Sequence, residues 1–313
     1  MRTTLPESVK VVVPSRNRAA WLATHKKFTL RTVSHLKPAL FVRGDDPQFD
    51  AYVTLADEYG VDLEVQPHEG CFGVSQAYDM LIDRAIEGGY DKLLILDDDM
   101  HFKMWNPIIG AKPDVKFCSQ SELTELMCQW TDALCPQMPA TCLLPVDRRT
   151  QDALLRYASP LMWCYGFYLP HFRAHPEHRF YKGRELEARC DHNLALQLLT
   201  SGFLTAYFCP LIIPSDVNNP GGCSTYRSLE VEHASTDALL ELYPGIVRQV
   251  IKVGWLDDPT AKRRSVEISW KRAFSAAKFQ DAFGEAPSSF KLRALRRVER
   301  AYGALIEELR HGA

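Results

Sequence analysis

Apolar positions fall along the chain in three spacings. Short continuous runs come first: Val11-Val12-Val13, Ala39-Leu40-Phe41-Val42 and Leu93-Leu94-Ile95-Leu96, each bounded by polar residues. Runs of this length and bounding predict strands buried on both faces, as in a parallel sheet. Val61-Asp62-Leu63-Glu64-Val65 alternates and predicts a shorter strand. Helical spacing follows, in Tyr78, Leu81, Ile82 and Ala85, with Ser75 as a cap and Gly88-Gly89 as the stop. A second helix is predicted from Asp191, with Leu194/Leu198 and Ala195/Leu199 as i,i+4 pairs, ending at Gly202. Strand and helix alternate through the first hundred residues, the pattern of an α/β fold. Later stretches predict helices over 121–134 and 239–253 and strands over 140–144, 162–169 and 203–213. The last forty residues predict one amphipathic helix striped by Leu292, Leu295, Val298, Tyr302 and Leu305. The expected architecture is a mixed, mostly parallel sheet flanked by helices. Its domain spans 1–235, and a helical, basic C-terminal extension over 236–313 packs on it.

The chemistry concentrates where the strand ending at Leu96 leaves the sheet, at Asp97-Asp98-Asp99. Ligands of open α/β sheets lie outside the carboxyl ends of the strands. Three adjacent carboxylates repel one another and favour a cation, and oxygen ligands suit Mg²⁺ or Mn²⁺ carrying a diphosphate. A solvated acidic turn is the competing reading. Ser15-Arg16-Asn17-Arg18 follows the first strand, where a nucleotide could be gripped. Asp191 opens its helix either as a cap or as a separate acid. The loop Asn218-Asn219-Pro220-Gly221-Gly222 can bring backbone N–H groups to a ligand. His171, Arg173, His175, His178, Arg179 and Lys182 gather in one stretch with few helical signals, suited to phosphate or sugar or else a solvated loop. No G-x-x-x-x-G-K-[ST] or G-x-G-x-x-G sequence is present, which argues against a P-loop or dinucleotide fold.

Composition narrows this further. The chain has 313 residues, 46% hydrophobic and 24% charged, ordinary for a globular protein. From Lys262 onward there are twelve basic and six acidic residues, a surplus of six on a chain of net charge −2, which leaves −8 on the body. A basic tail on an acidic body suggests an anionic partner, against the plainer reading of a solvated helix face. The nine cysteines show no C-x-x-C spacing and several lie in apolar runs, so buried thiols in a reducing compartment are expected and a zinc site is not. No leader and no membrane-spanning stretch is apparent, and a cytoplasmic location is expected.

Four segments in order carry a resemblance. Val11-Val12-Val13-Pro14-Ser15-Arg16-Asn17-Arg18 resembles the opening strand and loop of GT-A glycosyltransferases of the family 2 type. Gly73-Val74-Ser75-Gln76-Ala77-Tyr78-Asp79, then Gly89-Tyr90-Asp91 and Leu96-Asp97-Asp98-Asp99, resembles their helix and DXD strand. Tyr165-Gly166-Phe167 is similar to the acceptor-side strand, and Cys190-Asp191-His192-Asn193-Leu194 to the E-D-x-x-L segment. The resemblance covers about residues 8–216 and implies the GT-A fold and a metal-dependent transfer from a nucleotide-sugar, expected to be a UDP-sugar, with inversion. It implies Pro14, Arg16, Arg18 and Gln76 at the donor, Asp45 at the base, Asp97 and Asp98 toward ribose and diphosphate, and Asp99 with Asp97 on Mn²⁺ or Mg²⁺. Asp191 becomes the general base.

Two departures stand out. Cys190 replaces the first acid of the E-D pair. The metal-binding histidine expected after the strand ending near Ile213 is missing there, leaving Asp216 and His233 as candidate ligands. More loosely, the 218–222 loop, the middle insert and the tail resemble phage TET-associated glycosyltransferases, which act on hydroxymethylated pyrimidines in DNA. That implies Arg173, Lys262, Arg263, Arg264, Lys271 and Arg272 as acceptor or DNA contacts. The alternatives are a sugar nucleotidyltransferase, disfavoured because Pro14-Ser15-Arg16-Asn17 has no glycine, and a nucleotide-sugar or nucleic-acid binding protein with a degenerate site.

Overall fold

The computed structural model describes residues 1–25, 28–66, 73–106, 114–145, 154–181, 183–213, 228–255 and 258–311. The N-terminal half runs β1 (Val9–Ser15), α1 (Ala19–Thr24), α2 (Thr29–Val33), β2 (Ala39–Arg43), α3 (Phe49–Tyr59), β3 (Asp62–Gln66), α4 (Val74–Glu87) and β4 (Lys92–Ile95). It continues through β5 (Lys103–Asn106), β6 (Asp114–Phe117), α5 (Gln120–Ala133), β7 (Ala140–Pro145), β8 (Leu155–Tyr157), β9 (Tyr165–Tyr168), α6 (Leu169–Ala174), α7 (Cys190–Thr200) and β10 (Thr205–Ile213). The chain ends with α8 (Leu229–Leu242), a hairpin of β11 (Val247–Trp255) and β12 (Asp258–Ile268), then α9 (Trp270–Ala273), α10 (Ala276–Phe283) and α11 (Pro287–His311).

Ten strands form one sheet in the order β3-β2-β1-β4-β9-β7-β10-β5-β6, with β8 also on β10. β1 to β4, β6, β7 and β10 share one direction, and β5, β8 and β9 run against it. The expected mixed, mostly parallel sheet is present. Its central strands are apolar throughout because both faces are covered. Side chains alternate across a strand, and the two cores follow that alternation. Val11, Val13, Leu40, Val42 and Leu94 join α1, α2, α3, α5 and α11 on one face. Val12, Phe41, Leu93 and Ile95 join α4, α6 and α7 on the other.

Three elements differ from expectation. Residues 239–253 do not form one helix: α8 stops at Leu242, Gly245 takes a φ of 76°, and Val247–Trp255 pairs in register with β12. The extension therefore contains a hairpin before its helices, and residue 236 lies inside α8. The last forty residues form two helices, broken where Gly284 adopts a φ of 65° and Pro287 opens the next. Val298, Tyr302 and Leu305 of the expected stripe are buried against α5, while Leu292 stays half exposed at 50%. Ser75 is not the cap of α4. That helix begins at Val74, and the Ser75 hydroxyl and amide both donate to Glu187 from a distant 3₁₀ turn over Arg184–Arg189. A Cβ at Gly73 would meet that carboxylate, so a side chain there would require Glu187 to move.

A buried charge cluster ties the hairpin to the body. Glu232 of α8, whose side chain is 6% exposed, accepts from Arg189 and, at 2.7 Å, from Arg263 of β12, while Arg189 also donates to Ser265 at 2.9 Å. Removing the acid strands two guanidinium groups in a dry setting. Glu232→Gln is expected to cost about 3–5 kcal/mol in urea unfolding, with faster hydrogen exchange across 247–268. A loss under about 0.5 kcal/mol would show that the cluster holds nothing.

Candidate functional site

The acidic triplet follows β4 at the carboxyl end of the sheet, beside the loop that leaves β1. Parallel pairing of β1 with β4 (Val12 opposite Ile95) brings the two exits together. Asp98 is buried at 4% exposure and turns toward β1, where Ser15 donates to Oδ2 and Arg18 donates to Oδ1 at 2.5 Å. The same guanidinium nitrogen reaches Asp99 Oδ2 at 3.0 Å. Asp97 points elsewhere and accepts from the Tyr78 hydroxyl of α4 at 3.4 Å. The backbone of the turn is pinned by Thr29 of α2. Its amide donates to the Asp98 carbonyl at 3.0 Å, and its hydroxyl donates to the Asp97 and Met100 carbonyls.

Burial, then repulsion by Asp99 and Asp98, pushes the Asp97 carboxyl up to about 7. Burial raises Asp98 to about 6 against the pull of Arg18. Burial disfavours the Arg18 charge, yet Asp98 and Asp99 outweigh it and hold the guanidinium protonated more firmly than usual. Arg18 thus bonds two of the three acids, Asp98 and Asp99, and leaves Asp97 to Tyr78. Carboxylate oxygen donors fit a hard divalent ion such as Mg²⁺ or Mn²⁺.

The second acid lies in the first turn of α7. Asp191 Oδ1 accepts from the His192 amide and meets His192 Nδ1, both at 2.7 Å, and the carboxylate is 22% exposed. The N-cap position belongs to Arg189, so Asp191 is not the capping residue. Burial pushes its pKa upward, but His192 and the Arg189 charge prevail and hold it below the ordinary carboxylate range. Tyr165 lies within electrostatic reach of both acids. Its buried hydroxyl is held far from ionisation by burial and then by the charges of Asp191 and Asp97, and its ring meets Tyr78 edge-on at 5.4 Å.

No family model and no curated protein matches the chain. Solved structures do align with it, among them the following three. A mannosyltransferase from Pyrobaculum calidifontis, in complex with GDP-Man and Mn²⁺, shares 12% identity over 96% of this chain and 77% of its own, with a TM-score of 0.49. GalNAc-T7, with UDP, GalNAc and Mn²⁺, shares 10% over 73% and 47%, at 0.42. A putative glucose-1-phosphate thymidylyltransferase from Bacillus anthracis shares 13% over 60% and 83%, at 0.35. All three scores fall below 0.5, and none carries an argument about the chemistry of this chain.

The remaining sequence candidates are placed unevenly. Pro14 and Arg16, at the exit of β1, and Gln76, in the first turn of α4, are half-buried. Asp45 is 45% exposed and both its oxygens accept from Arg43, at 2.7 and 2.6 Å. The acid that reaches the loop after β1 is its neighbour Asp46, which is buried and accepts from the Asn17 amide at 2.7 Å. His233 is on α8, where its Nε2 accepts from the Arg264 amide at 3.1 Å, which leaves that nitrogen no lone pair for a metal. Asp216, Lys182 and the 218–222 loop lie outside the described residues.

The tail charges are dispersed. Arg263 is bound to Glu232, and Arg264 is paired at 2.7 and 2.9 Å with Asp237. Lys262 stands exposed on β12, Lys271 and Arg272 on α9, and Arg173 on α6 donates to the Ile86 carbonyl at 3.5 Å. Two of the five tail cations are thus engaged in the fold, which weakens the sequence argument for a phosphate-binding strip. No helix among the described residues is long and apolar enough to cross a membrane.

Sequence reasoning named Ser15 only as part of the β1 exit and did not single out Thr29, Tyr52 or Glu187. Tyr52 of α3 bonds the Ser15 hydroxyl at 2.8 Å and accepts from the Arg18 amide at 2.9 Å, so it shapes the β1 exit. No local pattern marks these residues, because each acts through a partner at least 34 positions away.

Proposed function

We propose that this chain is a metal-dependent glycosyltransferase of the GT-A type, moving a sugar from a nucleotide-sugar, a UDP-sugar in the first instance, to a hydroxyl acceptor with inversion. The observation that carries it is the acidic triplet at the exit of β4, its turn braced by Ser15, Arg18 and Thr29, with a separate acid in the first turn of α7. Asp97, in a crowded triplet, holds its proton unusually tightly, and Asp191 is a single carboxylate held ionised. Asp97 and Asp99 would hold the divalent cation, whose charge neutralises the leaving diphosphate. Arg18 then shifts from the acids toward donor phosphate, and Asp98 stays with Ser15 to brace the turn. Asp191 takes the proton of the acceptor hydroxyl on Oδ2 while Oδ1 remains with His192. The acceptor oxygen bonds to the anomeric carbon, the bond from that carbon to the phosphate oxygen breaks, and the diphosphate departs.

The test is donor turnover across a panel of UDP-sugars, read as UDP release. Exhaustive EDTA treatment is expected to abolish it and Mn²⁺ to restore it. Full activity after chelation would remove Asp97 and Asp99 from the proposed role. Formation of UTP and sugar 1-phosphate from the UDP-sugar when pyrophosphate is added would move the chain to the nucleotidyltransferases.

A further inference from the structure

A second cluster of ligating side chains lies at the other end of the sheet. β9 runs antiparallel to β4 with Tyr168 opposite Lys92, so α6 begins where β4 starts, away from the acidic triplet at its exit. There the chain reads His171-x-x-x-His175-x-Glu177-His178. The expected solvated loop is instead a short helix and a turn that bury His171 at 5% and His178 at 4% exposure. Among the described residues, His175, Glu177 and His178 offer ligand atoms that all lie within 4.8 Å of one another. His171 Nε2 approaches His178 Nδ1 at 2.9 Å. The His171 ring centroid is 4.6 Å from that of His175 and 5.1 Å from that of His178.

We propose that His171, His175, Glu177 and His178 form a binding site for a Zn²⁺-class cation, separate from the acidic triplet and independent of the transferase reading. Three imidazoles and one carboxylate make the four-coordinate, nitrogen-rich set that Zn²⁺ and Co²⁺ prefer and Mg²⁺ does not.

The second nitrogen of His178 is held as well: Nε2 lies 3.2 Å from the Ser201 hydroxyl while Nδ1 faces His171 Nε2. Metal-bound histidines fix their tautomer through such a bond on the other nitrogen. Two nitrogens bound at about 2.0–2.1 Å to one tetrahedral ion lie roughly 3.3 Å apart, and the observed approach needs only a small opening to match. Phe203 packs edge-on against all three rings at 4.4–5.8 Å and walls the cluster with apolar surface. His175 and Glu177 are 38% and 60% exposed and leave an entry for the ion.

The role is structural. The turn after His178 delivers the Phe180 and Tyr181 amides to Asp79 of α4 at 2.9 and 2.8 Å, and Ser201 follows α7. A cation on the four ligands fastens α6 and this turn where α4 and α7 meet.

The full chain, stripped by chelation and dialysis, is titrated with Co²⁺ and then Zn²⁺. Saturating Mg²⁺ is present throughout, and the Asp97→Asn variant is run in parallel. One equivalent of Co²⁺ is expected to give the visible absorption of a four-coordinate site, in the parent and in Asp97→Asn alike, and Zn²⁺ is expected to displace it. His175→Ala and Glu177→Gln alter exposed side chains and keep the fold. His175→Ala is expected to weaken Co²⁺ binding by at least about tenfold, and Glu177→Gln to change the spectrum. Absence of four-coordinate Co²⁺ in the parent, an unchanged spectrum and affinity in both variants, or loss of the signal in Asp97→Asn would each overturn the site.

Discussion

Asp191→Asn is expected to lower kcat by about 10²–10⁴-fold while leaving the donor KM within about twofold. The amide keeps the shape of the carboxylate and can still accept from the His192 amide through Oδ1, so α7 begins as before. What it cannot do is take a proton. The ionised state of Asp191 is already secured by His192 and Arg189, so the parent's activity is expected to hold across neutral pH and fall on the acid side as this carboxylate protonates. Steady-state kinetics with thermal unfolding on the same samples distinguishes the roles. A lower melting temperature with specific activity retained would make Asp191 a support for His192 and nothing more.

Asp97→Asn is expected to do two opposite things at once. Donor turnover falls by at least about 10²-fold, because one of two proposed cation ligands is gone. Metal-free stability near pH 8 rises, by about 2–6 °C in melting temperature. The folded chain holds the Asp97 proton up to about pH 7, against an ordinary value of 3.8. Between those values the folded state binds more protons than the unfolded one, so stability falls as pH rises through the window. Above it the ionised carboxylate is a standing penalty that asparagine lacks. The gain is therefore expected to vanish near pH 4, where the parent is protonated in both states. Mn²⁺ is expected to raise the melting temperature of the parent and leave the variant unmoved. A variant no more stable than the parent at pH 8 would mean that Asp97 is not strained by its neighbours.

The parts of this molecule that sequence made legible are those whose causes are local. β1, β2 and β4 are apolar because both faces are covered, and that shows as unbroken runs. The triplet was legible because it ends such a run. What stayed hidden depends on pairing across the chain. Arg18 neutralises Asp98 and Asp99 from eighty positions away, and Asp46 rather than Asp45 turns inward because the β1 exit needs its oxygens. The hairpin was misread because Val247, Val250 and Ile251 also suit one face of a helix. Pairing with β12, the half-buried Arg263 on Glu232 and the buried Ser265 decide for strands. The charge of the tail was countable, but Glu232 and Asp237, which engage part of it, are some thirty residues earlier.

The staple made by Thr29 bears on which ion the triplet could prefer. The carbonyls of Asp97, Asp98 and Met100 already accept from its amide or hydroxyl, so the turn presents side-chain oxygens rather than a cage of backbone ones. A large ion such as Ca²⁺ gathers about six to eight oxygens, many of them from flexible carbonyls. A small octahedral ion keeps most of its own water and needs only one or two carboxylates, the remaining positions passing to substrate phosphate. On the proposed reading, one threonine contact therefore bears on ion size: it fixes the backbone of the turn, which suits an ion held by side-chain oxygens better than one that must draw flexible carbonyls around itself.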